Sequence, residues 1–237
     1  MINRNAERTI VKRLPDFFGV GTLFLAIWAG SWTLAVAQQP AATPVQKSVE
    51  AQALPAPGTY KIDPRHSFAY FSAWHHLVGR VRGRFDQVSG TITVSPDPAA
   101  CSVDVTIDVA TISTQVSQRD DDLRSDAYFD VKKFLTMTYQ GRGIHRVSAD
   151  LWSMDGSLTM HGITKVVPLT FKYNGVFADT KPNQPARVAF HGTAATKRAA
   201  FGMGARDNAA EVADSTAPDV DIEIDVEADA NANPTTP

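Results

Sequence analysis

The sequence predicts an all-β protein, an antiparallel eight-stranded barrel with one short helix closing an end. Between residues 59 and 227, apolar and polar residues alternate almost throughout, as they do in half-buried strands. We count eight or nine such strands, and a single segment departs from the alternation. Long antiparallel strands remove their exposed edges by closing, and about eight of them leave room for side chains or one ligand. The alternative is a two-sheet sandwich, whose interior would be filled by side chains.

Alternation justifies each strand in chain order. The predicted strands are residues 66–74, 81–85, 90–94, 103–109, 136–144 and 157–162, stretches within 167–173 and 188–190, and residues 219–227. In the first strand both faces are apolar: Phe68, Tyr70 and Trp74 on one, and Ala69, Phe71 and Ala73 on the other. We predict that the bulkier face points inward. Asp155 and Gly156, a dipeptide suited to positive φ, predict a hairpin turn before residues 157–162.

The one segment with helical spacing is residues 118–130. The apolar positions that roughly follow a helical repeat are Val116, Leu123, Ala127 and Phe129. Asp120 and Arg124 are four residues apart, and we expect them on an outer face of the helix. One helix is too small to cover such a sheet, but it can close one end of a barrel.

The last predicted strand, residues 219–227, alternates without a break. Its inward residues are Val220, Ile222, Ile224 and Val226, and its outward residues are five carboxylates. This pattern favours a core on one side of the sheet and solvent on the other. The other interpretation is that the acidic face binds a cation or a receptor, although rows of like charge are usually solvated surfaces.

Both ends of the chain are predicted to lie outside the barrel. Residues 1–37 combine a basic start, an apolar run and the ending Ala35-Val36-Ala37, which describes a secretory signal cleaved after Ala37. The protein is therefore expected to be exported. A retained membrane anchor is the alternative, because about 20 apolar residues span a bilayer. The remaining predicted divisions are a flexible linker at 38–57, the folded domain at 58–228 and a disordered tail at 229–237.

Nothing in the sequence predicts catalytic residues, a cofactor or a bound metal. Cys101 is the only cysteine, which excludes an internal disulfide and a cysteine-based metal site. His75 and His76 are adjacent, so on a strand they would point to opposite faces. The other four histidines are scattered, and a histidine-based metalloenzyme remains only as an alternative. No known catalytic or nucleotide-binding motif occurs, and no basic stripe predicts a nucleic-acid partner.

Several motifs, taken together and in this order, resemble the YceI-like family. They are residues 60–67, 83–85, 119–125, 128–130, 158–165 and 198–203. The resemblance covers about residues 58–228 and implies a lipocalin-like barrel in the bacterial periplasm, which holds a polyisoprenoid or another long-chain lipid. Two positions depart from the pattern, because Asp122 replaces an expected histidine and Leu135 replaces an expected proline.

A lipid-binding barrel would place bulky apolar side chains around its interior. The predicted lining residues are Phe68, Tyr70, Trp74, Phe85, Phe129, Phe134, Leu158, Met160, Phe171 and Phe190. Arg119 and Asp120 are expected to pair and to hold the helix at the barrel mouth, or else to contact a lipid head group. Lys165 and Arg198 are further candidates for head-group contacts. The expected ligand is a long-chain isoprenoid or fatty lipid, bound without catalysis.

A second hypothesis is an envelope protein-interaction module with a solid barrel core. In it, the acidic strand 219–227 would be the docking surface. The two hypotheses differ in whether the interior of the barrel is hollow. The sequence leaves open whether the chain forms a homodimer and whether a lipid would be transported, stored or sensed. Membrane contact is expected only through residues 17–37, if they are retained.

Overall fold

The computed structural model describes residues 53–177, 184–204 and 216–231. Within these residues there are eleven β-strands and one α-helix. They are β1 (Gly58–Ile62), β2 (Phe68–His75), β3 (Gly79–Phe85), β4 (Val88–Val94), β5 (Ser102–Asp108), β6 (Ile112–Ser113), α1 (Ser117–Arg124), β7 (Thr136–Arg146), β8 (Trp152–Met160), β9 (Ile163–Phe177), β10 (Arg187–Lys197) and β11 (Thr216–Ala230). No helix in these ranges is long and apolar enough to cross a membrane.

Eight antiparallel strands close into a barrel. Their order is β1-β4-β5-β7-β8-β9-β10-β11, and β11 pairs back with β1, where Tyr60 lies opposite Ala230. The strands β2, β3 and β6 extend the sheet beyond β11 at the end of the barrel where α1 lies. The prediction of an all-β, eight-stranded barrel with one short helix is therefore confirmed, and the sandwich alternative is wrong. We call the end with α1 the mouth.

Strands β1 and β2 lie one after the other along the same edge of β11. Residues 63–67, which we call the seam, connect them and interrupt the ladder of backbone hydrogen bonds opposite Glu227. The fully buried Ser67 hydroxyl replaces the missing partner, because it accepts from the Glu227 N–H at 3.1 Å and donates to the Glu227 carbonyl at 3.2 Å. The backbone N–H of Asp63 donates to the same carbonyl at 2.9 Å.

The alternation along β9 and β11 determines which side chains point into the barrel. Val220, Ile222, Ile224 and Val226 of β11 line the interior, as predicted, whereas the carboxylates between them are on the outside. Val167 and Tyr173 of β9 are buried in the same core. A strand with one apolar face and one charged face has only one orientation that avoids burying charge. The apolar face and the acidic face of β11 were therefore sufficient to predict which side chains point into the barrel.

The hairpin turn predicted at Asp155 and Gly156 is wrong. Both residues lie in the middle of β8, and Gly156 is paired with Gly141 of β7. A Cβ atom on Gly156 would lie 2.2 Å from the Tyr139 ring, so glycine here makes room for an aromatic side chain inside the barrel. Long-range packing, rather than a turn, explains this glycine.

The helix is shorter than the predicted segment. It ends at Arg124, and Ser125 has extended backbone with φ −68° and ψ 170°. Residues 126–129 and 131–133 are turns, so Ala127 and Phe129 lie outside the helix, as does Val116, which precedes it in extended conformation. Asp120, expected on an outer face, is buried, because its carboxylate accepts hydrogen bonds from the N–H and the hydroxyl of Thr114 at 2.7 and 2.5 Å.

The predicted domain boundaries differ slightly from the ends of the barrel. Strand β11 continues to Ala230, two residues into the predicted tail, and Asp229 pairs there with Arg187. Leu54, from the predicted linker, packs against the barrel core. The predicted signal (1–37), the rest of the linker (38–52) and residues 232–237 of the predicted tail lie outside the described residues.

Candidate functional site

The barrel encloses two adjoining apolar cavities. The inner cavity, about 140 Å³, lies toward β1 and β4, and the mouth cavity, about 390 Å³, lies beneath α1. Four residues line both cavities, so the two spaces share a wall: Ala69, Ile107, Leu158 and Ile222. The interior is hollow partly because small residues occupy inward positions, among them Ala69 and Ala73 of β2 and Ala194 of β10.

The structure brings seven of the ten predicted lining residues to these cavities. Tyr70, Phe85, Phe129 and Met160 line the mouth cavity, Phe171 and Phe190 line the inner cavity, and Leu158 lines both. Phe85 and Phe129 pack edge to face with ring centroids 5.5 Å apart, and Phe171 and Phe190 do so at 6.2 Å. Each cavity therefore has an aromatic pair in its wall.

Three predicted lining residues lie elsewhere. Strand β2 points Ala69, Phe71 and Ala73 into the barrel, which leaves Phe68, Tyr70 and Trp74 on the opposite face. Tyr70 borders the mouth cavity even so, and its ring packs against that of Phe68 with centroids 6.2 Å apart. The expectation that the bulkier face points inward was wrong because Arg84 and Arg80 of β3 cover the Phe68 and Trp74 rings at 5.2 and 5.0 Å. The Phe134 ring packs outside the cavities against His161, with centroids 5.0 Å apart.

Two arginines and one aspartate are the charged residues that line the mouth cavity within the described chain. Arg119 donates from Nε to the Thr114 hydroxyl at 2.8 Å and from Nη2 to the Thr114 carbonyl at 3.2 Å. The expected pair between Arg119 and Asp120 does not form, because both side chains bind Thr114 instead. Asp122, at the position where the family resemblance predicts histidine, also lines this cavity.

Arg198, a predicted head-group contact, is buried at the mouth. Its Nη2 donates to the Thr216 carbonyl at 3.1 Å, and its guanidinium lies 5.9 Å from the Tyr128 ring centroid. Lys165 is exposed and lines neither cavity. Of the four predicted mouth contacts, Arg119 and Arg198 are therefore the ones whose side chains border the hollow interior.

Polarity changes from one cavity to the other. No charged residue of the described chain lines the inner cavity. The Tyr139 phenol in its wall donates to the Val167 carbonyl at 3.1 Å, and burial raises the pKa of Tyr139 far above its ordinary value, so the group stays neutral. Cys101, also buried in this wall, accepts a hydrogen bond from the Ser95 N–H at 3.3 Å. The interior is apolar and its charges are confined to the mouth.

Some lining residues have no counterpart in the predicted set. They include Leu54, Phe71, Cys101, Tyr139 and Met203. Phe71 is on the face of β2 that was predicted to point outward. Met203 belongs to the last of the family-like motifs, and that motif is the sequence signal that could have identified it. Leu54 lies in a stretch without periodicity, so no local pattern could have placed it against the core.

Outside the barrel, the acidic face of β11 is largely neutralised by neighbouring strands. Three of its five carboxylates have cationic partners: Asp219 with Lys197, Asp221 with Arg80, and Glu227 with Arg187. A fourth, Asp225, lies 2.7 Å from His191 Nδ1. This arrangement fits a solvated outer surface with cross-strand ion pairs. The hollow interior also disagrees with the solid core that the interaction-module hypothesis requires.

The histidines show one departure from expectation. The rings of His75 and His76 contact each other, with centroids 4.0 Å apart, rather than pointing to opposite faces. The reason is that β2 ends at His75, and His76 lies in the turn that follows, with a positive φ of 49°. In the described part of the chain, no three His, Cys, Asp or Glu side chains converge in a way that could hold a metal ion.

Known proteins resemble both the sequence and the fold. The UPF0312 protein of Pseudomonas aeruginosa (strain LESB58) is 32% identical over 147 residues, 61% of this chain and 75% of that protein. Protein YceI of Salmonella newport is 34% identical over 119 residues, 49% of this chain and 62% of that protein.

Three solved structures share the fold. The Campylobacter jejuni YCEI protein has a TM-score of 0.56 at 26% identity, covering 65% of this chain and 88% of its own. Burkholderia cenocepacia BcnA has a TM-score of 0.58 at 22% identity, covering 70% and 98%. A polyisoprenoid binding domain from Saccharophagus degradans has a TM-score of 0.57 at 18% identity, covering 73% and 98%. The YceI-like domain family matches residues 60–228, and the chain belongs to that family.

Proposed function

We propose that this protein is an exported, non-catalytic binding protein that holds a long-chain isoprenoid or another lipid inside its barrel. One observation carries the proposal: a closed barrel encloses two adjoining apolar cavities, and the charged residues of the described chain that line them are at the mouth. An elongated ligand with an apolar tail and a polar head matches this distribution of polarity. The Saccharophagus domain described as polyisoprenoid binding has the same fold and is consistent with the proposal.

An apolar tunnel alone supplies enough binding free energy. Each buried methylene contributes about 0.8 kcal/mol, so a chain of about twenty carbons gains roughly 16 kcal/mol before ordering costs. Those costs are about 4 to 15 kcal/mol, which leaves useful affinity without an ionic contact. If every carbon of a much longer chain were buried, the binding free energy would exceed the observed limit of about −20 kcal/mol for non-covalent complexes. Part of such a chain would therefore protrude from the barrel.

The mouth arginines orient the ligand in this proposal. Arg119 and Arg198 border the cavity beneath α1, whereas the inner cavity has no charged wall in the described chain. A phosphate, carboxylate or other electron-rich head group gains charge-assisted hydrogen bonds at the mouth, and the tail extends toward the inner cavity. Lys165 is exposed outside both cavities and would reach only a head group that protrudes.

Export and biological role are part of the proposal. A basic and apolar segment at residues 1–37 supports secretion across the inner membrane, with cleavage after Ala37. A periplasmic barrel could shield a lipid from water while it is carried or stored. Determining the N-terminus of the protein isolated from its native envelope tests cleavage directly. An intact segment 17–37 would instead identify a membrane anchor.

Neighbouring alanines on β10 provide a matched test of lipid binding. Ala194 points into the inner cavity and Ala195 is exposed on the outer face. Ala194→Phe should weaken retention of a long-chain lipid about tenfold, because the ring displaces about two methylenes of the ligand. Ala195→Phe should leave retention unchanged. The measurement is organic extraction of the purified protein followed by mass spectrometry, with added lipid titrated against each variant.

Two results would overturn the proposal. One is a wild-type protein that is reproducibly free of lipid and does not retain added long-chain lipid. The other is equal lipid retention by Ala194→Phe and Ala195→Phe when both variants are folded, since the ligand would then lie outside the barrel.

A further inference from the structure

The tip of the β2–β3 hairpin exposes apolar side chains to solvent. We call residues 74–80 the hairpin tip. Its exposed apolar members are Trp74, Leu77 and Val78, with 44%, 73% and 86% of their surfaces accessible. Three apolar residues so close together at a protruding turn form a contact surface rather than the isolated exposed residue that any protein tolerates.

The turn residues do little to stabilise the fold. His76 and Leu77 have φ values of 49° and 57°, and the Val78 N–H donates to the His75 carbonyl at 3.2 Å. Tight hairpin turns of this kind favour Asn-Gly, because only small or polar residues adopt positive φ easily. Leucine in this conformation, with its side chain exposed, adds strain without adding burial. Such local conflicts with folding rules occur where a site serves a function.

The hairpin tip lies directly beyond the mouth cavity. Ala73 and Val81 are paired across β2 and β3, and both line that cavity. The next pair outward is Trp74 with Arg80, followed by His75 with Gly79 at the turn. A surface that receives the hairpin tip would therefore lie against the opening beneath α1.

Positive charge accompanies the exposed apolar residues. Arg80, Arg82 and Arg84 are on the outer face of β3, and the Arg80 guanidinium lies 5.0 Å from the Trp74 ring centroid. Arg80 also pairs with Asp221, and Arg84 with Asp86. Arg82 is exposed and forms no ion pair with a carboxylate of the described residues. The hairpin tip itself contains no carboxylate.

We propose that the hairpin tip is a membrane-contact element, which places the barrel mouth on a bilayer surface containing anionic phospholipid. Leu77 and Val78 enter the boundary between head groups and acyl chains, Trp74 lies at the interface, and Arg82 contacts lipid phosphates. This inference rests on the proposed lipid binding, because docking brings the cavity opening to the source or destination of the ligand. It adds a membrane contact within the folded domain, separate from residues 17–37.

A membrane fits the hairpin tip better than a protein partner does. The surface is a narrow turn rather than a groove, and its three apolar residues offer far less area than the roughly 800 Å² per partner of a stable protein interface. Apolar residues flanked by arginine, without a carboxylate in the turn, complement an anionic bilayer. A second copy of this chain would present the same positive charge and would be repelled.

The test compares two identical substitutions at opposite ends of the barrel. Val78 is in the hairpin tip, and Val147, 56% exposed, is in the β7–β8 turn at the far end from the mouth. The chain used starts at Gln38, to remove residues 17–37 as a source of binding. All described strands and the family match at residues 60–228 lie after Gln38, so this chain retains the whole barrel.

Flotation with vesicles measures the docking. Wild-type protein should bind vesicles that contain equal parts phosphatidylcholine and phosphatidylglycerol more strongly than vesicles of phosphatidylcholine alone. Val78→Asp should lower the partition coefficient at least about tenfold, because it places a carboxylate in the interface. Val147→Asp should bind like wild type, and Arg82→Gln should reduce the preference for phosphatidylglycerol.

Four outcomes overturn the proposal. They are no vesicle binding by wild-type protein, equal loss by Val78→Asp and Val147→Asp, unchanged binding by Val78→Asp, and a dimer that Val78→Asp dissociates in the absence of vesicle binding. Lipid extraction separates this inference from the proposed function. Lipid recovered from a protein that does not float would refute docking alone, and a protein that floats but never contains lipid would refute the binding function alone.

Discussion

The two ends of β2 differ in the kind of side chain they contain and in how those side chains are accommodated. At its start, the seam joins β1 to β2 along the edge of β11, and the polar groups there are satisfied by hydrogen bonds or ion pairs. At its end, the hairpin tip leaves apolar side chains in water. The same strand therefore connects a region whose buried polar groups are paired, which stabilises the fold, with a region whose exposed apolar side chains add little to stability. The contrast separates the residues that close the barrel from those that face its surroundings.

The seam is stable because a buried carboxylate is fully paired. The Asp63 side chain is only 4% exposed and contacts Arg65 at 3.1 Å, His66 at 2.9 Å and Arg187 at 2.9 Å. Hydrogen bonding from Arg65 holds the pKa of Asp63 well below its ordinary value, although burial alone would raise it. Arg187 also forks to Asp229 at 2.8 and 3.0 Å, and this hydrogen bonding raises the pKa of Arg187.

The largest expected effect comes from Asp63→Asn. Removing the charge leaves Arg65 and Arg187 with a weaker partner, and the free energy of unfolding should fall by about 2 to 3 kcal/mol at neutral pH. Denaturant titration followed by circular dichroism measures this. Asp104→Asn, which removes a half-exposed ion pair with Arg142, is the control and should change stability little.

The pH dependence of the same variant gives a sharper test. The folded-state pKa of Asp63 is lowered, so its contribution is complete above the ordinary aspartate value of about 4. It is lost as pH falls through the folded-state pKa, where the carboxylate takes up a proton. The stability difference between wild type and Asp63→Asn should therefore shrink below about pH 4. A difference that is constant from neutral to acidic pH would contradict the assigned role.

Ser67→Ala should have the next largest effect. The substitution removes the hydroxyl that bonds the Glu227 N–H where the ladder is interrupted, leaving that donor without its partner. We expect a loss of about 1.5 kcal/mol in the free energy of unfolding. Ser89→Ala, which removes a long hydrogen bond of 3.4 Å at an exposed position, serves as the control. Equal losses of stability for both variants would show that the Ser67 hydroxyl does not stabilise the seam more than an exposed serine stabilises its own strand.

A substitution in the hairpin tip should change the free energy of unfolding least. Val78→Asp is expected to change the free energy of unfolding by less than about 0.5 kcal/mol, because the side chain is already in solvent. Thermal denaturation checks this. A large loss of stability would mean that the hairpin tip packs against the barrel, and the contrast with the seam would disappear.

Strands with unequal faces could be predicted from sequence, and strands with similar faces could not. The last strand has aliphatic residues on one face and carboxylates on the other, so burial has one acceptable solution. In β2 both faces are apolar, and the choice depends on Arg80 and Arg84 of the next strand, which cover the outer rings. Nothing local in residues 66–74 reveals that coverage.

The site was predicted less completely than the fold for a similar reason. Arg198 was among the predicted head-group contacts, but its burial was not predicted, because it depends on the 3₁₀ turn that contains the residue. Gly156 looked like part of a turn because local rules consider only neighbours in the chain, whereas its partner, Tyr139, is on the adjacent strand. Phe85, Phe129 and Met160 could be placed because bulk, alternation and the family-like motifs agreed.

The single sulfhydryl of the molecule gives the interior a native reporter. Cys101 is the only cysteine of the chain, and it is buried in the wall of the inner cavity. A small apolar alkylating reagent that diffuses into the empty tunnel should modify this group faster than one that meets an occupied tunnel. Labelling kinetics therefore follow how far a tail penetrates, without an engineered probe.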